Sequence, residues 1–448
     1  MNFPTHSRGQ GAADRWLLGL VLIAFGAGFL KVVRRAPTPL FPVTGVTATV
    51  PRTPAVVVAP ADRAALGLRT AFVSHRTFVY SHAACIVELG SGSVRAFWYA
   101  GTNEGTQDVT IQTAVFDPRS GRWSPERRVA SRESSQRELW RYVKKVGNPV
   151  AARAADGALW LFYVTVSVGG WAGSSLTAIT SRDEGETWSP ARRIISSPFL
   201  NISTLVKGPP FTFADGTMGL PVHHEFLGKF GEFLRLDAAA EVLDKVRLSS
   251  GRAGLQPVVL IEDAQRALVL MRYAGKTPPK RVLGTATADG GRTWSPATKT
   301  PLANSNAALT GLVLSDGRML VALNDSDENR NALTLVVSSD HGATWQTIAA
   351  VEDQSAVKSS DLKDAPYTAA VERLARETNR AATGADGYAE SVKRQMGSTN
   401  GYSFEFSYPS LIRTRDGDFH LVYTWNEAFI KHVQFSQAWL DRRISEIK

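Results

Sequence analysis

The sequence predicts an all-β protein, a six-bladed β-propeller, from three observations. One octet with the pattern Ser/Thr-x-Asp-x-Gly-x-Thr-Trp occurs at 181–188, 287–294 and 338–345. Asp-Gly pairs stand between alternating apolar runs, which is the strongest short-range signal for a β-hairpin. Strand openings also recur at intervals that fit six units of roughly 40–50 residues, the size of a propeller blade. We place these openings near Ser81, Gly147, Gly208, Gly254, Ala308 and Ser407.

The octet has the composition of a tight hairpin between two strands. Its Asp accepts hydrogen bonds from backbone N–H groups just ahead of it, and its Gly supplies a positive φ. Its Trp packs a large ring under the adjoining strands. A fourth, degenerate copy of the octet covers 117–123. We therefore interpret the octet as a structural staple of the blade and not as a set of catalytic residues.

The composition is that of an ordinary globular protein, with 44% hydrophobic and 21% charged residues in 448. The formal net charge is +10, but the basic residues are scattered, so we expect no nucleic-acid partner. Cys85 lies in an apolar run and predicts a buried, inert thiol. We find no metal-ligand spacing and no Gly-rich phosphate loop, and we expect neither a metal nor a cofactor.

The first 65 residues divide into two segments. Residues 16–33 are mostly apolar, and we interpret 1–35 as an anchor with an N-terminal transmembrane helix. A cleaved signal peptide is the main alternative because the run is short, and a buried helix is the third. Residues 36–65 are rich in Pro, Thr and Val and predict an extended linker. The propeller is then expected over 66–448.

One stretch late in the chain interrupts the strand pattern. Residues 361–395 are polar and rich in alanine. Asp364 and Pro366 form a helix start, and Gly384 is a stop signal. We expect a helical insertion before the last blade, which either covers the site or is a loop without a role.

The octet is the Asp-box, or BNR repeat, and over about residues 70 to 440 the chain resembles the sialidase (neuraminidase) superfamily. It resembles in particular a bacterial branch described as predicted neuraminidases. With the apolar N-terminal segment, that resemblance implies an inner-membrane anchor and a propeller in the periplasm or another extracytoplasmic space. The shared segments are His82-Ala83, Glu104-Gly105, Asp108-Val109, Gly147-Asn148-Pro149, Tyr423-Thr424-Trp425 and Ile430-Lys431-His432.

The resemblance implies three arginines that hold a substrate carboxylate, a task that suits the bidentate guanidinium. Arg272 and Arg330 match the second and the third. The position of the first holds Tyr80-Ser81-His82 and no arginine. This departure leaves open whether the substrate is sialic acid, and we expect His82 to supply a weaker, pH-dependent contact.

The resemblance also implies a catalytic set. Tyr408 matches the nucleophile at the opening of the last blade, and Asp108 is the better match to the acid/base carboxylate, with Glu104 as the alternative. A neutral nucleophile suits an anomeric carbon that carries a carboxylate. The family's Glu partner of the Tyr is replaced by Gln256, so Glu225 of the third blade is the alternative.

Two functions remain open at this point. The first is a sialidase-like exo-glycoside hydrolase that acts on an extracytoplasmic glycan. The second is a non-catalytic carbohydrate-binding or assembly-factor propeller, in which the arginines pair between blades, Tyr408 packs in a strand and Asp108 caps a turn. The first function requires the site residues to gather at one mouth of the channel. The further substrate contacts that we expect there are Asn148, Gln256, Trp425 and His432.

Overall fold

The computed structural model describes residues 10–33, 39–42, 67–74, 80–197, 201–249, 253–356, 369, 373 and 404–447. These residues form six antiparallel sheets. Each sheet contacts the next one along the chain, and the last contacts the first through their innermost strands, so the sheets close into a ring. The predicted six-bladed β-propeller is confirmed.

Each blade is built from neighbouring segments of the chain. The first contains β2 (Tyr80–Glu88), β3 (Val94–Gly101), β4 (Thr110–Asp117), β5 (Arg122–Trp123) and β6 (Arg127–Ser131). The second contains β7 (Lys145–Arg153), β8 (Leu159–Val166), β9 (Ser174–Ser181) and β10 (Arg192–Arg193). The third contains β11 (Leu205–Val206), β12 (Phe211–Thr212), β13 (Met218–His224), β14 (Phe230–Leu236) and β15 (Val242–Arg247).

The second half of the ring repeats this order. The fourth blade contains β16 (Gly254–Ile261), β17 (Ala267–Tyr273), β18 (Arg281–Thr287) and β19 (Thr298–Ala303). The fifth contains β20 (Thr310–Val313), β21 (Met319–Leu323), β22 (Ala332–Ser338) and β23 (Gln346–Asp353). The sixth contains β24 (Phe406–Arg413), β25 (Phe419–Trp425) and β26 (Phe429–Phe435).

The sixth blade takes its outermost strand from the other end of the chain. Strand β1 (Arg69–Phe72) pairs antiparallel with β26, with Arg69 opposite Gln434. The ring is therefore closed by hydrogen bonds between its first and last strands. The six blade openings are as predicted, but this strand was not predicted, because its partner is more than three hundred residues away.

The three intact octets form the same structure at the same place in blades two, four and five. In each copy the Asp carboxylate accepts the backbone N–H of the Thr four residues later at 2.9 Å. The indole N–H groups of Trp294 and Trp345 donate to the carbonyls of Gly291 and Gly342. The octets join the third strand of a blade to its fourth. Their interpretation as structural staples is confirmed.

The start of the chain differs in part from the prediction. Helix α1 (Gln10–Val33) includes the predicted helical residues 16–33. No helix in the described part of the chain is both long enough and apolar enough to cross a membrane, and the predicted transmembrane helix is thus not supported. The predicted helical insertion over 361–395 lies outside the described residues, apart from 369 and 373.

Part of the predicted linker packs against the propeller. The backbone N–H of Phe41 donates to the carbonyl of Ala264 at 3.1 Å, and its buried ring stacks on Phe213 with centroids 5.7 Å apart. Residues 39–42 of the predicted extended linker therefore pack on the propeller, which was not expected. An isolated Phe among Pro and Thr residues gives no periodic signal by which its burial could be predicted.

Two further helices flank the strands. Helix α2 (Arg132–Leu139) connects blades one and two, and its N-cap Ser131 forms a capping box with Ser134. Helix α3 (Gln437–Ser445) follows the last strand and begins at N-cap Ser436. Both helices are short and were not predicted.

Candidate active site

All six blades begin in the same unusual way. The residue at each opening has a left-handed backbone, a conformation that costs a non-glycine residue roughly 1–2 kcal/mol. In four blades this residue lies in a β-bulge, which redirects side chains at a strand end. The six openings are Ala83 (φ 53°), Asn148 (46°), Ser203 (60°), Gln256 (53°), Asn306 (60°) and Tyr408 (54°).

Because the strands are antiparallel, the second strand of each blade ends where the innermost strand begins. We call this end of the ring the site face. It carries the six openings and the loops that follow β3, β8, β13, β17, β21 and β25. Contacts between these groups define the candidate site.

Tyr408 lies at the centre of these contacts. Its hydroxyl oxygen accepts hydrogen bonds from Arg272 Nη1 at 3.1 Å and from Gln256 Nε2 at 3.4 Å. Arg272 Nη1 also donates to Gln256 Oε1 at 3.2 Å. Arg272 and Gln256 are 136 and 152 positions away from Tyr408 in the sequence, yet both bond to its hydroxyl oxygen. A tyrosine that only packs within a strand does not require such contacts.

The two predicted arginines lie together on the site face, joined by a residue that the sequence analysis missed. Arg272 Nε donates to Asn306 Oδ1 at 2.7 Å, and Arg330 Nη2 donates to the carbonyl oxygen of Asn306 at 2.8 Å. Arg330 Nη1 pairs with Glu405 at 2.7 Å. Burial lowers the pKa of Arg330, but Glu405, Tyr408 and Glu427 together outweigh it and the net shift is upward.

His82 packs directly against Tyr408, with ring centroids 4.3 Å apart. Burial, followed by the charges of Arg330, Lys207 and Arg272, lowers the pKa of this imidazole well below its usual value. His82 is therefore neutral at neutral pH. It cannot supply the charged, pH-dependent contact that we expected in place of the missing arginine.

A buried lysine supplies a third cation that the sequence analysis overlooked. Lys207 Nζ donates to the carbonyl of Pro409 at 2.9 Å and lies 5.8 Å from the centroid of the Tyr408 ring. Burial lowers the pKa of Lys207 to about 8, so the side chain is charged in most protein molecules at pH 7. The signal that could have revealed it is a lysine directly after the buried, apolar Leu205–Val206 strand.

The two carboxylates in the loop after β3 have different surroundings. Asp108 accepts hydrogen bonds from the N–H and the hydroxyl of Thr102 at 2.8 and 2.6 Å. Burial raises the pKa of Asp108, but the hydrogen bonds from Thr102 and Thr106 together outweigh it, and the net pKa is lowered. Glu104 accepts the indole N–H of Trp171 at 3.0 Å, and its charge contributes to the raised pKa of Tyr99. Tyr99 in turn contacts the His82 ring, so Glu104 is electrostatically linked to the cluster while Asp108 caps its own turn.

Glu225 lies on the site face between blades three and four. Its Oε1 is 3.3 Å from Nε2 of the buried His223. Burial raises the pKa of Glu225, but His223 and Arg272 outweigh it and the net pKa is lowered. Asn148, the last of the predicted polar contacts on this face, is buried at the opening of blade two.

Two predicted substrate contacts lie in the core instead. Trp425 is fully buried and packs on Phe72 with ring centroids 5.4 Å apart. His432 is buried, accepts the indole N–H of Trp123 at 3.3 Å and meets His420 at 3.0 Å. Neither ring faces the site, because a strand directs alternate side chains into the packing between blades. Trp425 and His432 therefore pack in the core, and the prediction that they contact the substrate is not supported.

The overall fold is shared with several solved structures. The Hadza microbial sialidase Hz136 matches with a TM-score of 0.58 and 15% identity, over 81% of this chain and 66% of that protein. A protein of unknown function from Dyadobacter fermentans matches with a TM-score of 0.57 and 12% identity, over 82% and 98%. The intramolecular trans-sialidase from Ruminococcus gnavus matches with a TM-score of 0.55 and 13% identity, over 81% and 95%. At these identities the similarity shows a common fold.

No curated protein matches this sequence. The family described as the BNR repeat-like domain, however, matches residues 92–421, which is most of the ring. Its repeats are the three octets whose identical hydrogen bonds staple blades two, four and five. The chain is therefore a member of the BNR repeat-like domain family, built on the six-bladed propeller that sialidases also use.

Proposed function

We propose that this protein is a sialidase-like exo-glycoside hydrolase that acts on an extracytoplasmic glycan. The observation that carries the proposal is the gathering, on one face of the ring, of polar side chains from four blades around the hydroxyl of Tyr408. Similar folds that are named as sialidases and trans-sialidases support glycoside chemistry as the reaction class. The extracytoplasmic location rests on the alternative interpretation of the apolar stretch over 16–33 as a signal peptide, which directs a chain out of the cytoplasm. The gathered residues are His82, Gln256, Arg272, Arg330 and Tyr408.

Tyr408 is our candidate for the nucleophile. Two N–H donors, from Arg272 and Gln256, point at its oxygen, and such donors stabilise negative charge that develops there. Attack of this oxygen on the anomeric carbon forms a glycosyl-tyrosine bond while the glycosidic bond to the leaving oxygen breaks. Water then attacks the same carbon, releases the sugar and restores the tyrosine hydroxyl. Glu225 is our candidate to receive the phenol proton, since Gln256 cannot act as a base.

Glu104 is a better candidate than Asp108 for the acid that protonates the leaving oxygen. A general acid must hold its proton near neutral pH, which requires a raised carboxyl pKa. The two hydrogen bonds from Thr102 lower the pKa of Asp108, which makes it a poorer general acid. The position of Glu104 favours it: its charge acts on Tyr99, which contacts the His82 ring of the cluster, whereas Asp108 bonds within its own loop.

The charges around Tyr408 disfavour a simple sialoside as the substrate. Arg330 is already paired with Glu405, so a substrate carboxylate must compete with a carboxylate of the protein. Arg272 is bonded to the neutral amide oxygens of Gln256 and Asn306, which a polyhydroxylated sugar can replace. His82 adds no charge at neutral pH. We therefore expect a simple sialoside to be a poor substrate.

The test is a hydrolysis and binding screen of the full chain on a panel of glycans, repeated with Tyr408→Phe. We expect turnover of at least one glycoside, and a loss of at least ~10³-fold in kcat for the variant with the fold intact. Tyr163→Phe is the matched control, because it deletes a buried hydroxyl that bonds to Ser135 at 2.9 Å, in the core of blade two. Full activity of Tyr408→Phe removes Tyr408 from the mechanism.

The second candidate function is a non-catalytic carbohydrate-binding or assembly-factor propeller. The observation that favours it is the neutral Gln256 at the position where the resemblance expects a Glu. In that case the screen gives glycan binding without turnover, and Tyr408→Phe and the original chain behave alike in hydrolysis.

A further inference from the structure

The site face of blades one to three exposes a series of large apolar side chains. Trp140 is 94% exposed and Leu227 is 71% exposed. All of these residues lie in connections at the site face, before β7 and β11 or after β8 and β13. We call them the apolar arc, which consists of Trp140, Tyr142, Val168, Ile195, Phe226 and Leu227.

Contacts between these connections join the arc into two halves. The Ser167 hydroxyl donates to the Tyr142 carbonyl at 2.6 Å and joins the segment before β7 to the loop after β8. Ser196, Phe226 and Leu227 line one cavity, which joins the segment before β11 to the loop after β13. Between these halves, burial and the nearby charge of Arg141 lower the pKa of Arg193.

Cations lie among the apolar side chains, and several of them have neutral partners. Arg141 donates to the hydroxyl of Ser167 at 2.6 Å, and Lys144 donates to the carbonyl of Gly169 at 3.3 Å. Arg247 stacks on a phenyl ring at 3.8 Å and donates to the carbonyl of Ser249. Since these partners carry no negative charge, Arg141, Lys144 and Arg247 keep charges that an anionic partner can neutralise.

We propose that the apolar arc docks on the surface of an anionic lipid membrane. Exposed Trp and Tyr rings settle at the headgroup level, while Phe and Leu at loop tips insert below it. Each arginine or lysine near such a surface adds attraction to anionic lipids. The apolar side chains project from four separate loops and do not line a single groove, which suits a deformable lipid surface better than a rigid protein partner.

The arc and the candidate active site share one face of the ring. A docked protein therefore turns the channel mouth toward the membrane, and a glycan attached to a membrane component becomes the favoured substrate class. That consequence rests on the proposed function, whereas the docking itself is tested without any turnover.

The experiment uses the full chain with an environment-sensitive NBD probe on one introduced cysteine. Val168→Cys and Leu227→Cys place the probe in the arc. Leu243→Cys is the matched control, because Leu243 is an exposed side chain of the same blade as Leu227, near the opposite end of that blade. The native Cys85 is buried, and burial raises the pKa of its thiol to about 12, so it does not take up the label.

With vesicles of phosphatidylglycerol and phosphatidylcholine, we expect probes at 168 and 227 to gain at least about twofold in emission and to shift to the blue. The probe at 243 should not respond, and vesicles of phosphatidylcholine alone should give little change. The response should fall at high salt because charge contributes to the attraction. An equal response at 243, or none at 168 and 227, overturns the proposal.

The exposed apolar side chains of α1 do not confuse this result. Helix α1 is the same in every variant, so vesicle binding through α1 alone leaves the probes in the arc unchanged and counts against the proposal. Replacement of both Arg141 and Arg247 by Gln should weaken binding of the labelled arc by about tenfold or more. Unchanged affinity in that double variant overturns the role of charge.

Discussion

The buried Lys207 should make the stability of this protein depend on pH in a way that one substitution removes. Burial lowers the pKa of Lys207 from 10.5 to about 8 in the folded chain. The folded state therefore holds this proton less tightly than the unfolded state does. Below pH 8 the charged lysine opposes folding, and the penalty fades as the pH rises toward 10.5.

The size of the effect follows from these two values. A shift of one pKa unit corresponds to about 1.4 kcal/mol, so the penalty at pH 7 is about 3 kcal/mol and falls below about 1 kcal/mol at pH 10. Lys207→Met keeps the length of the side chain and removes the charge. We therefore expect the free energy of unfolding of Lys207→Met, relative to that of the original chain, to decrease by about 2–3 kcal/mol between pH 7 and pH 10.

Denaturant unfolding at the two pH values measures this difference. Lys299→Met is the control, because Lys299 also donates to a backbone carbonyl, at 2.8 Å, and lies 4.8 Å from a tyrosine ring, but it is exposed. Its difference from the original chain should be nearly independent of pH. If the difference for Lys207→Met is equally independent of pH, then the pKa of Lys207 is not lowered in the folded chain.

Three other predictions follow from the contacts. Glu104→Gln should lose most of the hydrolytic activity, whereas Asp108→Asn should disturb mainly the turn that Asp108 caps and should keep more of the activity. Initial rates on the best glycan of the panel measure this difference. Asp289→Asn should lower the melting temperature at pH 7 but not near pH 2, because hydrogen bonds from Thr293 hold the pKa of Asp289 at about 2 and their contribution disappears as pH falls through that value. Glu352→Gln should destabilise the protein by about 3–5 kcal/mol by leaving the buried Lys431 unpaired, and adding Lys431→Met should recover much of that loss in denaturant unfolding.

The architecture was predictable because it depends on local chemistry that repeats. The Asp, Gly and Thr of each octet bond within their own turn, so the turn can be recognised without knowing what packs around it. The same does not hold for β1 or for Phe41. Both are held by distant segments, β26 and Ala264, and no local pattern indicates such partners.

The candidate site was predictable where its residues stand at blade openings and strand ends. Gln256, Arg272 and Tyr408 occupy such positions and do meet. Trp425 and His432 were assigned wrongly because the sequence does not tell which side of a strand faces the axis and which faces the next blade.

The residues that the sequence analysis missed have a common physical origin. Asn306 contributes its backbone carbonyl as well as its side chain, and Lys207 acts from beneath the ring of Tyr408. Both depend on the left-handed openings, which bring backbone groups of separate blades to one face. A buried cation and a strained backbone both oppose folding, so their presence beside the same tyrosine argues that this face is maintained for a ligand and not for stability.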